Sequence, residues 1–367
     1  MAKRLMNEEQ MIDMIWGAAL LAGGGGGSIS SAMVMLNKYK ENNPDDPLSV
    51  TVIDPEDMED GAYAVATATI GSPVSFLKKE DFIKFATSTF SGIVEMYANM
   101  DPPRDVKYSY AAEIGGFNTF FPLMVSQYFK IPFIDADGAG RAVPAMNTLL
   151  LHVNGNDAGP MVMSDDEDNV ISINPADPKN AKLHEDLARN ICSVFGNVAG
   201  AAGWPATREE FDNVAIGTIT LSEKIGHVMR ECAVSGEDVF DVLSREGVVE
   251  CRSYGKGKVV MAESVVEKGF DYGKVVVAAD PKIVIYFQNE NLLCEVDSKP
   301  VLTVPDITCT YDTATCLPLT NADIHEGMEI AVGAIKVDEK WWNNPDMFNV
   351  WVPLLERVGY TGGNVPY

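Results

Sequence analysis

The chain has 367 residues, which at roughly 150 residues per domain makes two domains, or one large domain with an insert. With 46% apolar and 22% charged residues, 31 Gly and 20 Pro, it has the composition of a folded soluble protein and not of a disordered, collagenous or coiled-coil one. Its 28 Lys and Arg face 53 Asp and Glu, a formal net charge of −25; such a surface repels phosphate backbones and anionic headgroups, so neither nucleic acid nor a membrane surface is an expected partner.

Asn7 followed by Gln10 is an N-cap with a capping-box partner, and Met11, Ile12, Ile15, Trp16 and Ala19 recur at helical spacing up to the glycines. Ser28 caps a second helix through Ala32, Met33 and Leu36, which the Asn42, Asn43, Pro44 and Pro47 cluster breaks. Short β-rich runs then alternate with helical ones: Val50 to Ile53, Tyr63 to Ile70, a helix near Asp81 to Tyr97, Val106 to Ala111, a helix after Asn118, and Ile131 to Ile134. That alternation predicts an α/β domain with a mostly parallel sheet and crossover helices.

After the acidic turn Asp165 to Asp168 the pattern changes to a helical segment from about 180 to 245, and then to a β-rich stretch. The expected division is an N-terminal α/β domain over 1–167 and a β-rich C-terminal domain over 168–367. Val275 to Ala278, Ile283 to Phe287 and Val301 to Val304 read as strands of the second.

The apolar stretch Met11 to Ala22 contains Asp13 and is too short to span a bilayer, and no basic region with a cleavage site precedes it, so a cytoplasmic location is expected. None of the six cysteines lies in a metal-ligand spacing, and they read as reduced core thiols. Cys309 could serve as a nucleophile, but no base is placed beside it by the sequence. His152, His184, His227 and His325 are scattered, which gives no support to a histidine metal site or a sequence-evident triad.

Five consecutive glycines, Gly23 to Gly27, end in Ser28 at a helix start. Bare amides there can hold an anion or a polarised carbonyl, with Gly24, Gly25, Gly26, Gly27 and Ser28 as the donors; the plain alternative is a tight turn. The run follows a helix and lacks both the P-loop ending and the Rossmann context, so no nucleotide cofactor is expected.

Ligands of open parallel sheets bind beyond the carboxyl ends of the strands. Three clusters fall there: Gly71-Ser72-Pro73, Glu113 to Asn118 with Gly115 and Gly116, and Asp135 to Arg141. Asp135 and Asp137, two apart, can share a face and act as a general base or jointly hold a divalent cation. Arg141 offers a fork for a carboxylate. An Asx-turn cap with an Asp–Arg ion pair is the structural alternative. Glu113 is a further candidate acid or base, with a helix cap as its alternative. The polar run Gln288 to Asn291, with Asn289 and Asn291, can contact a ligand at the domain interface.

The glycine run, Gly71-Ser72-Pro73, Glu113-Ile114-Gly115-Gly116-Phe117-Asn118, Asp135-Ala136-Asp137-Gly138-Ala139-Gly140-Arg141, Gln288-Asn289-Glu290-Asn291-Leu292 and Val304-Pro305-Asp306 occur in an order that resembles the S-methyl-thiohydantoin desulfurase family over nearly the whole length. The resemblance implies an α/β domain joined to a β-rich one. It also implies hydrolysis of a five-membered cyclic amide or amidine such as a hydantoin or S-methyl-thiohydantoin, where water adds at the ring carbon and methanethiol leaves. On the matching positions, Asp135 or Asp137 is the base or metal ligand, Arg141 a carboxylate clamp, and the Gly24 to Ser28 amides the anion donors.

Many members carry Cys or Thr in the glycine run followed by Asp-Pro, where this chain has Gly23, Ser28 and Ile29, so a cysteine nucleophile at that place is unavailable. Some relatives are associated with hydantoinase-like and oxoprolinase-like enzymes. The expectation is therefore a homo-oligomeric hydrolase of a small-molecule ring. The alternative is a non-catalytic small-molecule-binding or accessory subunit of a hydantoinase or oxoprolinase system.

Overall fold

The computed structural model of the chain describes residues 3–71, 82–267, 270–343 and 345–367. Among these residues, nine strands form one sheet: β1 (Arg4–Asn7), β2 (Ser49–Ile53), β3 (Ala62–Gly71), β4 (Asp105–Ala111), β5 (Phe133–Asp137), β6 (Met161–Ser164), β7 (Val170–Ile173), β8 (Val198–Ala206) and β9 (Ala215–Ile216). Their order is β1-β2-β5-β4-β3-β8-β6-β7, with β9 on β5. The central pairs β2–β5, β5–β4 and β4–β3 are parallel, and β1, β6, β7, β8 and β9 join them antiparallel. This is the predicted α/β architecture with antiparallel flanks.

The helices are α1 (Glu8–Leu21), α2 (Ile29–Asn42), α3 (Phe82–Ala98), α4 (Phe120–Phe129), α5 (Leu150–Val153), α6 (Ala181–Val194), α7 (Thr218–Ser235), α8 (Val239–Arg245) and α9 (Val352–Arg357). Asn7 caps α1 in a capping box with Gln10, and Ser28 caps α2 by accepting from the Ser31 amide, as the sequence predicts. Seven strands, β10 (Cys251–Glu267), β11 (Phe270–Ala278), β12 (Ile283–Gln288), β13 (Glu290–Val296), β14 (Lys299–Thr303), β15 (Ile307–Asp312) and β16 (Glu329–Ile335), make an antiparallel sheet in the order β14-β13-β12-β11-β10-β16-β15.

One element differs from expectation. The segment from 180 to 245 is helical at α6, α7 and α8, but between them β8 runs through the first sheet, buried at every residue and paired with β3. Its sequence, Val198-Ala199-Gly200-Ala201-Ala202-Gly203-Trp204-Pro205-Ala206, is mostly Ala and Gly, with Val198 its one β-branched side chain and a Pro near its end, so it carries little strand signal. Small residues are needed because α3 lies directly on it: a Cβ at Gly200 would stand 2.2 Å from the Thr89 hydroxyl oxygen.

The two halves are bolted together by α1 and α7. A Cβ on Gly17 would stand 1.8 Å from the Ser222 carbonyl oxygen and one on Gly226 1.7 Å from that of Asp13, so these helices touch backbone to backbone. The contact fixes the C-terminus of α1, where the glycine run begins, and aims the N-terminus of α7 at the end of β5. No helix among the described residues is long and apolar enough to cross a membrane.

Candidate active site

The parallel strands β4 and β5 end on one edge of their sheet, so the Glu113 to Asn118 turn and the Asp137 to Arg141 turn lie side by side, whereas Gly71, at the end of β3, meets Asn197 and Cys192. Ser72 and Pro73 lie outside the described residues. From the other side the β12–β13 corner and Asn321 approach, and the glycine run is pressed between the two. Its carbonyls are pinned outward: the Gly23 oxygen accepts from the Asn291 amide at 2.7 Å, the Gly24 oxygen from the Asn321 amide at 2.8 Å, and the Gly26 oxygen from the Phe117 and Asn118 amides at 3.3 and 3.1 Å. Gly25, Gly27, Glu113 and Asn118 remain partly accessible, which marks the mouth.

Glycine is required where the backbones meet. Gly26 has φ +70°, and its Cβ would stand 2.5 Å from the Gly115 Cα; one on Gly115 would stand 2.4 Å from the Gly26 Cα. At Gly25 a Cβ would fall 2.0 Å from Glu290 Oε1. Gly27 packs against Phe117 and Gly116 against Ala19. Ser28 is spent as the α2 cap.

Glu290 is the group the run receives. It is 3% exposed, and its carboxyl is held by the backbone amides of Gly26 and of Glu290 itself. Burial, then the neighbouring Glu113 charge, pushes it well above the usual carboxylate range. Glu113 accepts from Asn118 Nδ2 at 2.6 Å and from the Val143 amide at 2.7 Å. Desolvation outweighs those two hydrogen bonds and raises its carboxyl to about 7.

Arg141 is fully buried between them. Its Nε donates to the Ala142 carbonyl, Nη1 to those of Pro305 and Asp306, and Nη2 to that of Asn291, at 2.7–3.3 Å. The guanidinium also lies 5.1 Å from the centroid of the Trp351 ring. Arg141 thus ties β5 to the second sheet and supplies the positive charge that Glu113, Glu290 and Asp306 face.

The two aspartates serve elsewhere. Asp135 Oδ1 accepts the Ile219 and Thr220 amides at 2.9 and 3.1 Å and its Oδ2 takes the Thr220 hydroxyl, so both oxygens close the N-terminus of α7. Asp137 makes an Asx turn with the Ala139 and Gly140 amides at 2.8 and 2.7 Å. Burial lifts its carboxyl to about 7, with Asp338 the neighbouring charge. The Asp–Arg ion pair weighed from the sequence is not formed, because both partners bond to backbone. Among the described residues no group of three or more His, Cys, Asp or Glu side chains is placed to hold a metal ion.

A stability consequence follows. Asp135→Ala strands two α7 amides and a hydroxyl, and is expected to cost about 2 kcal/mol, read as a lower urea midpoint. A wild-type midpoint would remove the capping role.

Of the polar run, Asn291 is central: its amide binds Gly23, its Nδ2 donates to the Thr308 carbonyl at 2.9 Å, and its Oδ1 accepts from Asn321. Asn289 turns away and pairs with the Asp271 backbone. Glu290 lies in the polar run that the sequence singled out but was not itself named as a site residue, and Asn321 was not among the sequence candidates; a buried-type strand context with a lone acid between two asparagines is the signal for the first. Cys309 is buried, and desolvation raises its thiol far out of the nucleophilic range. Two grooves lie elsewhere, one of about 700 Å³ between α3 and β7 and one of about 380 Å³ beside Asn7 and Pro47.

The fold is a mixed, mostly parallel α/β sheet joined to an antiparallel sheet, with Glu113 and Glu290 beside the glycine run where the two sheets meet. The S-Me-THD-like N-terminal domain model matches residues 9–175 and the S-Me-THD-like C-terminal domain model residues 179–355. The chain belongs to the S-Me-THD-like family. A crystal structure of a protein from Chromobacterium violaceum is similar at 21% identity, with 99% of each chain covered and a TM-score of 0.87, which shows the shared fold. No curated protein matches the chain.

Proposed function

We propose that this protein hydrolyses a five-membered cyclic amide or amidine of the S-methyl-thiohydantoin or hydantoin kind, using Glu113 and Glu290 as its acid–base pair. The observation that supports the reading is that Glu290 lies against the glycine run with Glu113 as its neighbouring charge, in surroundings that push both proton affinities upward, Glu113 to about 7 and Glu290 well above the usual carboxylate range. Two titratable groups poised differently at one place are what combined general acid and general base catalysis needs.

For an S-methyl-thiohydantoin the steps balance as follows. Ionised Glu113 takes a proton from water as its oxygen bonds to the ring carbon that bears sulfur, and protonated Glu290 gives its proton to the ring nitrogen. The tetrahedral adduct then returns its hydroxyl proton to Glu290 as the C–S bond breaks, and the thiolate leaves with the proton held by Glu113. The products are the ring carbonyl and methanethiol, and both carboxyls are restored. The Arg141 charge offsets the negative charge of the pair throughout.

Incubation of the purified protein with S-methyl-thiohydantoin in ¹⁸O-water tests the reading. Thiol release with label at the ring carbonyl is expected. Ring binding without turnover would move the protein to the accessory-subunit alternative.

A further inference from the structure

We propose that Gln288 and Tyr272 read the amide of the bound ring, Gln288 Oε1 accepting the ring N–H and the Tyr272 hydroxyl donating to the ring carbonyl. The inference rests on the ring-hydrolase reading and adds two substrate-positioning residues that lie outside the glycine run.

The second sheet sets three side chains in a row. Tyr272 faces Gln288 across the β11–β12 ladder, and Gln288 faces Glu290 across the β12–β13 corner. Residues directly opposed in an antiparallel pair present their side chains on the same side, with Cβ atoms about 4.5–5.5 Å apart. The row therefore leads away from Glu290 in steps comparable to the span of a five-membered ring. A ring held with its reacting carbon at Glu290 places its far side at Gln288.

Each member of the row has a polar atom with nothing to bond. Glu290 Oε2, Gln288 Oε1 and Tyr272 Oη are shielded from solvent and have no hydrogen-bond partner among the described residues. Gln288 and Glu290 are each 3% exposed, and Tyr272 is half-buried. Arg357, whose guanidinium carbon lies 3.9 Å from the centroid of the Tyr272 ring, has only donors to offer and pairs with Glu267 at 3.1 Å. Tyr272 and Gln288 are thus a donor and an acceptor on neighbouring residues that do not bond to each other.

An amide supplies the complement of both at once, an N–H for Gln288 and a carbonyl for Tyr272. Buried polar groups left unpaired are costly, so a ligand that satisfies them is favoured. An S-methyl-thiohydantoin keeps such an amide between the carbon that bears sulfur and the carbon that bears the side chain. Its other ring nitrogen, which carries no hydrogen, is then the one that meets the Glu290 proton.

The test uses S-methyl-thiohydantoin and its derivative methylated at the amide nitrogen, with Kd measured by calorimetry and thiol release recorded in parallel on wild type, Gln288→Leu and Tyr272→Phe. Wild type is expected to bind the unmethylated ring roughly tenfold or more tightly than the methylated one, since a site built to receive an N–H rejects an analogue without it. Gln288→Leu keeps the bulk and loses the acceptor; it is expected to weaken the unmethylated ring about tenfold, to leave the methylated ring within about twofold, and so to close the gap. Tyr272→Phe is expected to weaken both rings by a similar factor, because both keep the carbonyl. Equal binding of the two rings by wild type overturns the inference without any variant, and so does a gap that persists in Gln288→Leu, which would be the bulk of the methyl group. Thiol release with no gap overturns the inference and keeps the hydrolase reading. The expected binding pattern without thiol release supports the two residues and overturns the hydrolase reading instead.

Discussion

Glu290→Gln is expected to lower kcat for thiol release by about 10²- to 10⁴-fold, the usual worth of a positioned proton donor, while the protein stays folded with a melting temperature within a few degrees of wild type. The substitution keeps the shape of the side chain and an acceptor oxygen for the Gly26 amide, and removes only the exchangeable proton. Because burial penalises the charged form of this carboxyl and raises it well above the usual range, a neutral amide of the same shape adds no new desolvation. Glu290→Ala differs: it strands the Gly26 amide and opens a hole, and a stability loss of about 1–3 kcal/mol accompanies the loss of rate. Circular dichroism melts alongside kinetics separate the two cases. A Glu290→Gln protein with wild-type kcat would remove Glu290 from the reaction.

Gly26→Ala is expected to destabilise the protein by about 3 kcal/mol and to abolish turnover with it. Two costs add: a non-glycine residue held at positive φ, about 1 kcal/mol, and a methyl forced against Gly115 Cα and the Ile114 carbonyl, about 2 kcal/mol. Gly236→Ala is the internal control, since Gly236 has φ +77° with nothing within 4 Å of its Cβ position; it carries the backbone cost alone. Urea unfolding of the two variants measures the difference. Equal midpoints would mean that the Gly26–Gly115 contact relaxes freely and does not hold the loop in place.

Much of the fold was legible because its signals are local. The Asn7 and Ser28 caps, the alternation of strand and helix up to β5, and three strands of the second sheet, β11, β12 and β14, all rest on spacing and turn chemistry within a dozen residues. β8 was not legible, since Ala and Gly carry no strand signal and are there for the closeness of α3, a tertiary demand. The site was legible in part. Two of the strand-end clusters, those after β4 and β5, meet the glycine run, because a parallel sheet brings the carboxyl ends of neighbouring strands to one edge whatever the sequence. Which carboxylates do what was not: Asp135 is claimed by the N-terminus of α7 and Asp137 by its own turn, while Glu290 reaches Gly25 from the far half of the chain. Partners so distant in sequence leave no periodicity to read.

The central claim is that Glu113 and Glu290 work as one acid–base pair, and the pH dependence of kcat/KM for thiol release from S-methyl-thiohydantoin tests it most directly. Glu113 must be ionised to take the proton from water, so the rate is predicted to rise as pH increases through about 7, where burial places that carboxyl. It then falls at higher pH as Glu290 loses its proton, and Glu113→Gln removes the rising limb along with most of the rate. A profile already level from pH 5 upward, or a rising limb that survives in Glu113→Gln, would contradict the account.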